Sequence, residues 1–321
     1  MQEYIIGKNE AGQRLDKYLG KVLKEAPVSF FYKMMRKKNI VFNSAKCTGK
    51  EILSVGDKVK LFLSDDTIEK FGGCVSGTVQ TTVAEAYPYR KLDIVYEDDD
   101  VLFVNKPAGM LTQKAQPSDI SLNEYIIGYL LHTGAIDTAQ LRTFKPSVCN
   151  RLDRNTSGLV LAGKSLAGTQ MLSKMIKERT IQKYYITVVA GHVSSDSSVE
   201  GLLIKDEVHN KVTVRPIKDR DNHAADADER YIRTDYHVLG YGDGYTALEV
   251  HLITGRPHQI RAHLASLGHP ILGDYKYGVK AVNEKYGLKE QLLHAYRVVL
   301  PDGREYKAAL PKKFNTFFTM K

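Results

Sequence analysis

The sequence predicts an α+β protein in which a small, basic α/β unit precedes a larger domain built on a mixed, mostly antiparallel sheet. Three observations predict it. Strand-like stretches near residues 101, 159, 185, 250 and 296 are separated by irregular lengths rather than regular helical crossovers, which argues against a doubly wound parallel sheet. The net formal charge of +9 is uneven, because residues 1–65 carry 13 Lys and Arg against 7 Asp and Glu. Residues 66–91 then change texture, with Gly72-Gly73, Ser76-Gly77 and Thr81-Thr82 breaking weak apolar content before Pro88. The expected organisation is a first unit at 1–65, a linker at 66–91 with room for one strand, and a main domain at 92–321.

Within the first unit, Leu15, Tyr18, Leu19, Val22 and Leu23 recur at helical spacing, and Pro27 ends that helix. Ser29 is the expected cap of a second helix with Phe30, Phe31, Met34 and Met35 inward and Lys33, Arg36, Lys37 and Lys38 outward. Ile40-Val41-Phe42 reads as a strand, Asn43-Ser44 as a turn, and Val59, Leu61 and Leu63 as a second alternating strand. In the main domain, Val101–Val104 is a strand ending in the turn Asn105-Lys106-Pro107-Ala108-Gly109, and 121–132 is helical. Leu159-Val160-Leu161 is a buried strand, and Ser165 caps a helix burying Leu166, Met171, Leu172, Met175 and Ile176. Ile181–Val189 is a strand with Lys183, Tyr185 and Thr187 on one face, and 216–230 is a polar surface loop. Leu248, Val250 and Leu252 mark another strand. Thr254 is the expected cap of the next helix, with Arg256, Pro257 and His258 in its first turn and Gly268 at its end. Residues 294–310 read as a hairpin about Pro301-Asp302-Gly303.

Composition excludes several classes. At 321 residues and 43% hydrophobic, the chain can bury a sizeable core. No apolar run approaches the roughly 20 residues that a bilayer span needs, and no signal-type opening is seen. The three cysteines, Cys47, Cys74 and Cys149, lack CxxC spacing, so a cytoplasmic protein without disulfides or structural zinc is expected. A basic leading unit points to a polyanion, and nucleic acid is favoured over an anionic membrane.

No GxGxxG opens a βαβ unit, and no phosphate-binding GxxxxGK[ST] loop is read, because the letters that fit it, Gly158–Ser165, run through the apolar strand Leu159-Val160-Leu161; HExxH and GxSxG are missing. His258 and His263 lie about 140° apart around a helix, a poor metal pair, and Cys149 is better read as core filler than as a nucleophile. What remains is Asp153 in Arg151-Leu152-Asp153-Arg154-Asn155-Thr156-Ser157-Gly158, just before a buried strand. A carboxylate flanked by permanent cations stays ionised and faces an anion-friendly surface. Arg261, read as lying off the apolar face of its helix, could be no more than a surface ion pair, and Asp153 no more than a turn cap.

Taken in order, Asn105–Gly109, Arg151–Gly158, Lys183-Tyr184-Tyr185, Thr254–Leu264, Gly268–Asp274 and Leu293-His294-Ala295 resemble the RluA family of pseudouridine synthases over about residues 92–310. The first unit resembles the S-four-type RNA-binding module in Gly12–Leu19, Met35–Lys38 and Val55–Val59. Together they resemble the bacterial ribosomal-RNA branch of that family. The resemblance implies isomerisation of uridine to pseudouridine without metal or cofactor: the N1–C1′ bond breaks, the uracil turns, and C5 bonds to C1′. It implies Asp153 as the catalytic aspartate, attacking C1′ or removing a ribose proton. Tyr185 would lie against the uracil and help remove the C5 proton, Arg261 would pair with the aspartate, and Arg151 would help displace the base. Asn150 stands where the family usually has histidine. RNA contacts are expected from Arg151, Arg154, Lys106, Arg256 and His258, and in the first unit from Arg14, Lys17, Lys33, Arg36, Lys37 and Lys38. A monomer acting on large-subunit ribosomal RNA is expected, with transfer RNA, a non-catalytic assembly factor and a Cys149 hydrolase as alternatives.

Overall fold

The computed structural model describes residues 1–72, 79–206, 211–217 and 229–318. Its first unit is a four-stranded antiparallel sheet with two helices against it. The elements are β1 (Gln2–Ile5), α1 (Leu15–Val22), α2 (Val28–Arg36), β2 (Ile40–Phe42), β3 (Ala45–Lys46) and β4 (Lys58–Leu61), with strand order β1-β4-β2-β3. Leu15, Leu19, Phe31, Met35, Ile40 and Leu61 are buried together, so the helical spacing becomes one apolar face on an alternating sheet. Each such side chain contributes about 1.5–3 kcal/mol on burial. Asn43 and Ser44 take left-handed φ, closing the hairpin where it was expected. Ser29 is not the cap of α2. Pro27 holds that position, and the helix begins at Val28, two residues earlier than a Ser29 cap would place it.

The stretch read as a linker holds two helices and no strand among its described residues: α3 (Asp65–Gly72) and α4 (Val79–Ala86). Ile68 of α3 is buried in the first core. Gly73, Ser76 and Gly77 lie outside the described residues, as does 218–228 of the expected polar loop.

Among the described residues the main sheet has eleven strands. In chain order the elements are β5 (Ile94–Glu97), β6 (Val101–Lys106), α5 (Leu122–His132), α6 (Gln140–Thr143), β7 (Ser147–Val148), β8 (Ser157–Gly163), α7 (Leu166–Lys177), β9 (Gln182–Ala190), β10 (Ser197–Asp206) and β11 (Lys211–Pro216). There follow β12 (Glu229–Gly242), β13 (Tyr245–Leu252), α8 (Gln259–Ser266), α9 (Lys280–Lys285), β14 (Leu293–Val299) and β15 (Glu305–Lys307). The strand order is β11-β10-β12-β13-β9-β14-β8-β6-β5, with β7 on β8 and β15 on β14. Among the described residues only β8 and β14 pair in parallel. The fold is thus α+β on an antiparallel-dominated sheet. Every residue of β8 is buried, as its unbroken apolar run requires. Gly158 permits that central contact: its φ is +113°, and a Cβ there would stand 2.3 Å from the Ala295 carbonyl oxygen of β14.

Ser165 caps α7 by accepting from the Gly168 N–H, but Met171 faces solvent at 41% exposure, leaving Leu172, Met175 and Ile176 to pack. Thr254 does not cap α8. That helix starts at Gln259, with His258 at the cap position in a left-handed conformation (φ 55°). The Gln259 side chain accepts from the Arg256 N–H instead and joins Thr254 to the turn. Arg256 and Pro257 therefore precede the helix rather than forming its first turn. The two units meet where Thr143 of α6 donates to Glu10 at 2.6 Å.

Candidate active site

Asp153 sits in a tight turn closed by the Thr156 N–H on its own carbonyl, immediately before β8. Three groups fix that turn. Thr112 Oγ1 donates to the Leu152 carbonyl at 2.7 Å and accepts from the Leu152 N–H. Gln291 donates to Thr156 Oγ1 at 2.6 Å. Lys106, at the end of β6, donates through Nζ to the carbonyls of Pro107, Met110 and Arg154. The Asp153 side chain keeps 28% of its surface open.

Arg261 reaches this carboxylate from α8, with Nη1 2.7 Å from Asp153 Oδ2. Its other edge is clasped by Asp274, with Nε and Nη2 at 2.7 and 3.0 Å from the two carboxylate oxygens. Asp274 is 1% exposed and also accepts the main-chain N–H groups of Lys276 and Tyr277. Burial would raise the Asp274 pKa, but the Arg261 hydrogen bonds and charge outweigh it and hold it below the ordinary carboxylate value. Burial likewise opposes the Arg261 charge, and the two carboxylates overcome it. The Tyr277 ring lies 5.1 Å from the guanidinium carbon, and its hydroxyl meets His258 Nδ1 at 2.8 Å. His258 Nε2 stands 4.0 Å from Asp153 Oδ2, and burial lowers the histidine pKa despite that carboxylate.

Tyr185, in the middle of β9, lies in the core that also contains Leu152, Val250, Ile260 and Leu264. Burial, and then the Asp153 charge, push its phenol pKa upward. It is a protonated hydroxyl at neutral pH, which suits a ring that stacks better than one acting as a general base. The arrangement is a partly open carboxylate gripped by a buried guanidinium, with an aromatic residue close by. Among the described residues no group of His, Cys, Asp or Glu could hold a metal.

The family model for RNA pseudouridylate synthase matches residues 100–266, a span that includes Asp153, Tyr185 and Arg261. The chain belongs to this family. It is 30% identical over 302 residues to the ribosomal large subunit pseudouridine synthase C of Vibrio cholerae, covering 91% of this chain and 86% of that one. Synthase D of Nitrosomonas europaea is 28% identical over 303 residues, covering 93% and 80%. The fold of human RNA pseudouridylate synthase domain containing 4 matches with a TM-score of 0.59 at 20% identity, over 71% of this chain and 94% of that one. The RluA-type motifs read from the sequence are borne out as the mark of a pseudouridine synthase.

In this synthase Asp153 and Arg261 pair from separate segments, and Tyr185 of β9 lies in the core beside Leu152, near enough to feel the Asp153 charge. Arg151, Arg154 and Arg256 are exposed around the turn and His258 is half-buried beside it. Lys106 is different. It is 0% exposed and its ammonium is spent on three carbonyls, so it braces the Asp153 turn and cannot meet RNA. Burial drops its pKa to about 8. Arg261 is no surface pair, being only 7% exposed. Asn150 clamps β8, accepting from the Leu161 N–H and donating to the Leu159 carbonyl. Burial raises the Cys149 thiol pKa, and among the described residues no side-chain base hydrogen-bonds to it. Asp274 and Tyr277 carry no role readable from the sequence alone, although Asp274 closes the Gly268–Asp274 stretch; an acid directly after the apolar Ile271-Leu272-Gly273 run, thirteen residues beyond Arg261, was the available signal.

In the first unit Lys17, Lys33, Arg36, Lys37 and Lys38 are all exposed, and Arg14 is exposed but paired with Asp16 at 2.6 Å.

Proposed function

We propose that this pseudouridine synthase modifies large-subunit ribosomal RNA, with Asp153 as the group that acts on the ribose of an extruded uridine. The observation that carries the reading is the Asp153–Arg261–Asp274 chain: the inner carboxylate fixes the guanidinium, and the guanidinium fixes the outer, solvent-reaching carboxylate. Asp153 attacks C1′ or removes a ribose proton, and the same placement serves both. Tyr185 offers a ring face to the detached uracil. Arg151, Arg154 and Arg256 attract the flanking strand, and extrusion of the base costs a few kcal/mol that phosphate contacts offset. Residues 1–65 act as an RNA-binding unit, with Lys33, Arg36, Lys37 and Lys38 on phosphates. The names of the relatives support ribosomal RNA as the target, and with it a bacterial cytoplasmic setting. A monomer suffices, since one chain supplies Asp153, Arg261 and Tyr185.

The test is a pseudouridine map of transcribed large-subunit ribosomal RNA and of transfer RNA after incubation with wild-type protein and with Asp153→Asn. Wild type should modify the ribosomal RNA. The variant should bind that RNA within about threefold of wild type and form no product. Turnover by the variant removes Asp153 from its role, and modification of transfer RNA alone reassigns the target.

A further inference from the structure

Lys183 is a cation that the site as described leaves unused. It precedes Tyr185 by two residues on β9, so the two side chains leave the same face of the strand. It is half-buried, and a Cβ built on Gly255 would stand 3.2 Å from its Nζ. The ammonium therefore rests against the backbone that leads into Arg256, His258 and Arg261.

Its surroundings differ from those of Lys164, Arg297 and Arg261. Lys164 meets Glu97 at 2.7 Å, Arg297 meets Glu249 at 3.2 Å, and Arg261 meets two aspartates. Lys183 has no hydrogen bond or ion pair among the described residues. The charge that bears on it is another cation, Arg179, and burial followed by that repulsion lowers its pKa. A desolvated ammonium without a counter-ion is unfavourable, and it is a ready partner for an anion brought by a ligand.

We propose that Lys183 holds a backbone phosphate of the RNA beside the extruded uridine, making it a positioning residue for the reaction. This rests on the reading of Asp153, Arg261 and Tyr185 as the site. Tyr185 would take the base and Lys183, one pleat along and at the Gly255 rim, the adjoining phosphate. Arg179 and Arg256, both exposed, extend the same anion track.

The test uses the full chain and transcribed large-subunit ribosomal RNA. Binding is measured against salt concentration, and kcat and KM are measured separately, for wild type, Lys183→Gln, Lys183→Arg and Asp153→Asn. Loss of one phosphate contact should reduce the magnitude of the log K against log salt slope by about 0.7–0.9. Lys183→Gln should show that loss and a KM raised about tenfold with kcat nearly unchanged, and Lys183→Arg should restore both. An unchanged slope and KM in Lys183→Gln overturns the proposal, as does a fall in kcat alone. Inorganic phosphate at constant ionic strength should not compete. If it displaces RNA from wild type but not from Lys183→Gln, the site takes a free anion and the proposal also falls. Asp153→Asn should keep the wild-type slope without turnover. Turnover there refutes the catalytic reading, while the slope of Lys183→Gln still reports the phosphate contact.

Discussion

Replacing Asp274 by asparagine asks whether the buried acid or the surrounding packing holds Arg261 in place. The Asp274 carboxylate takes two guanidinium hydrogen bonds at 2.7 and 3.0 Å and two main-chain N–H groups at 2.9 and 3.1 Å. Asparagine removes the charge and turns one acceptor into a donor facing other donors. Removing one partner of a buried ion pair costs about 3–5 kcal/mol. At about 2–4 °C per kcal/mol for a domain of this size, the melting temperature should fall by roughly 10 °C. Arg261 would then have Asp153 as its remaining counter-charge, and a shift of its guanidinium would drag the outer carboxylate from its place. Turnover should fall about 100-fold, or near 2.7 kcal/mol in the barrier, while RNA affinity holds. Calorimetry and single-turnover pseudouridine formation measure the two effects. A variant that melts within about 2 °C of wild type and turns over within about threefold would show that packing alone positions Arg261. The pH dependence gives a second check. Because the folded pKa of Asp274 is depressed, its contribution is present above the ordinary carboxylate value near pH 4 and is lost as pH falls further. Asp274→Asn should therefore soften the acid limb of stability.

Two further outcomes follow from buried groups. His263 and His294 are 2% and 0% exposed, and burial pulls both pKa values down to about 4. An unfolded histidine titrates near 6.5, so stability is full above that pH and declines toward pH 4 by up to about 3 kcal/mol per residue. Urea denaturation at a series of pH values should show the decline, and a flat profile from about pH 7 to 4.5 would refute it. Gly158→Ala places a methyl 2.3 Å from the Ala295 carbonyl oxygen at a φ of +113°, so a loss above about 4 kcal/mol or failure to fold is expected. A variant that melts like wild type would mean that β8 and β14 can part without cost.

The elements carried by local pattern were readable in advance. The Leu15–Leu23 spacing, the Asn43-Ser44 turn, the Leu159–Leu161 strand and the hairpin about Pro301–Gly303 each depend on neighbours in sequence, and each appears in the structure. What the pattern could not show was long-range pairing. Arg261 seemed to lie off the apolar face of its helix because its counter-charges come from Asp153 and Asp274, on other segments. Lys106 looked like a phosphate contact because nothing in a linear sequence reveals three carbonyls converging on one ammonium. The start of α8 moved because the Gln259 side chain, rather than Thr254, satisfies the Arg256 N–H. Strand β1 went unseen because its pairing partner, β4, lies more than fifty residues away. The Asp153 motif was legible by its residue types, and its geometry was settled by acids and carbonyls distant in the chain.

The bracing of the Asp153 turn by Lys106, Thr112 and Gln291 has a consequence for substrate choice. On the role proposed for Asp153, a carboxylate carried on so firmly held a turn does not travel to meet its target, so the nucleotide makes the whole journey. Uridines in loops, bulges and junctions can swing out at little expense, whereas those locked inside a regular duplex resist. Selection among uridines would then reflect how readily each stretch of RNA bends, as much as which letters flank the site.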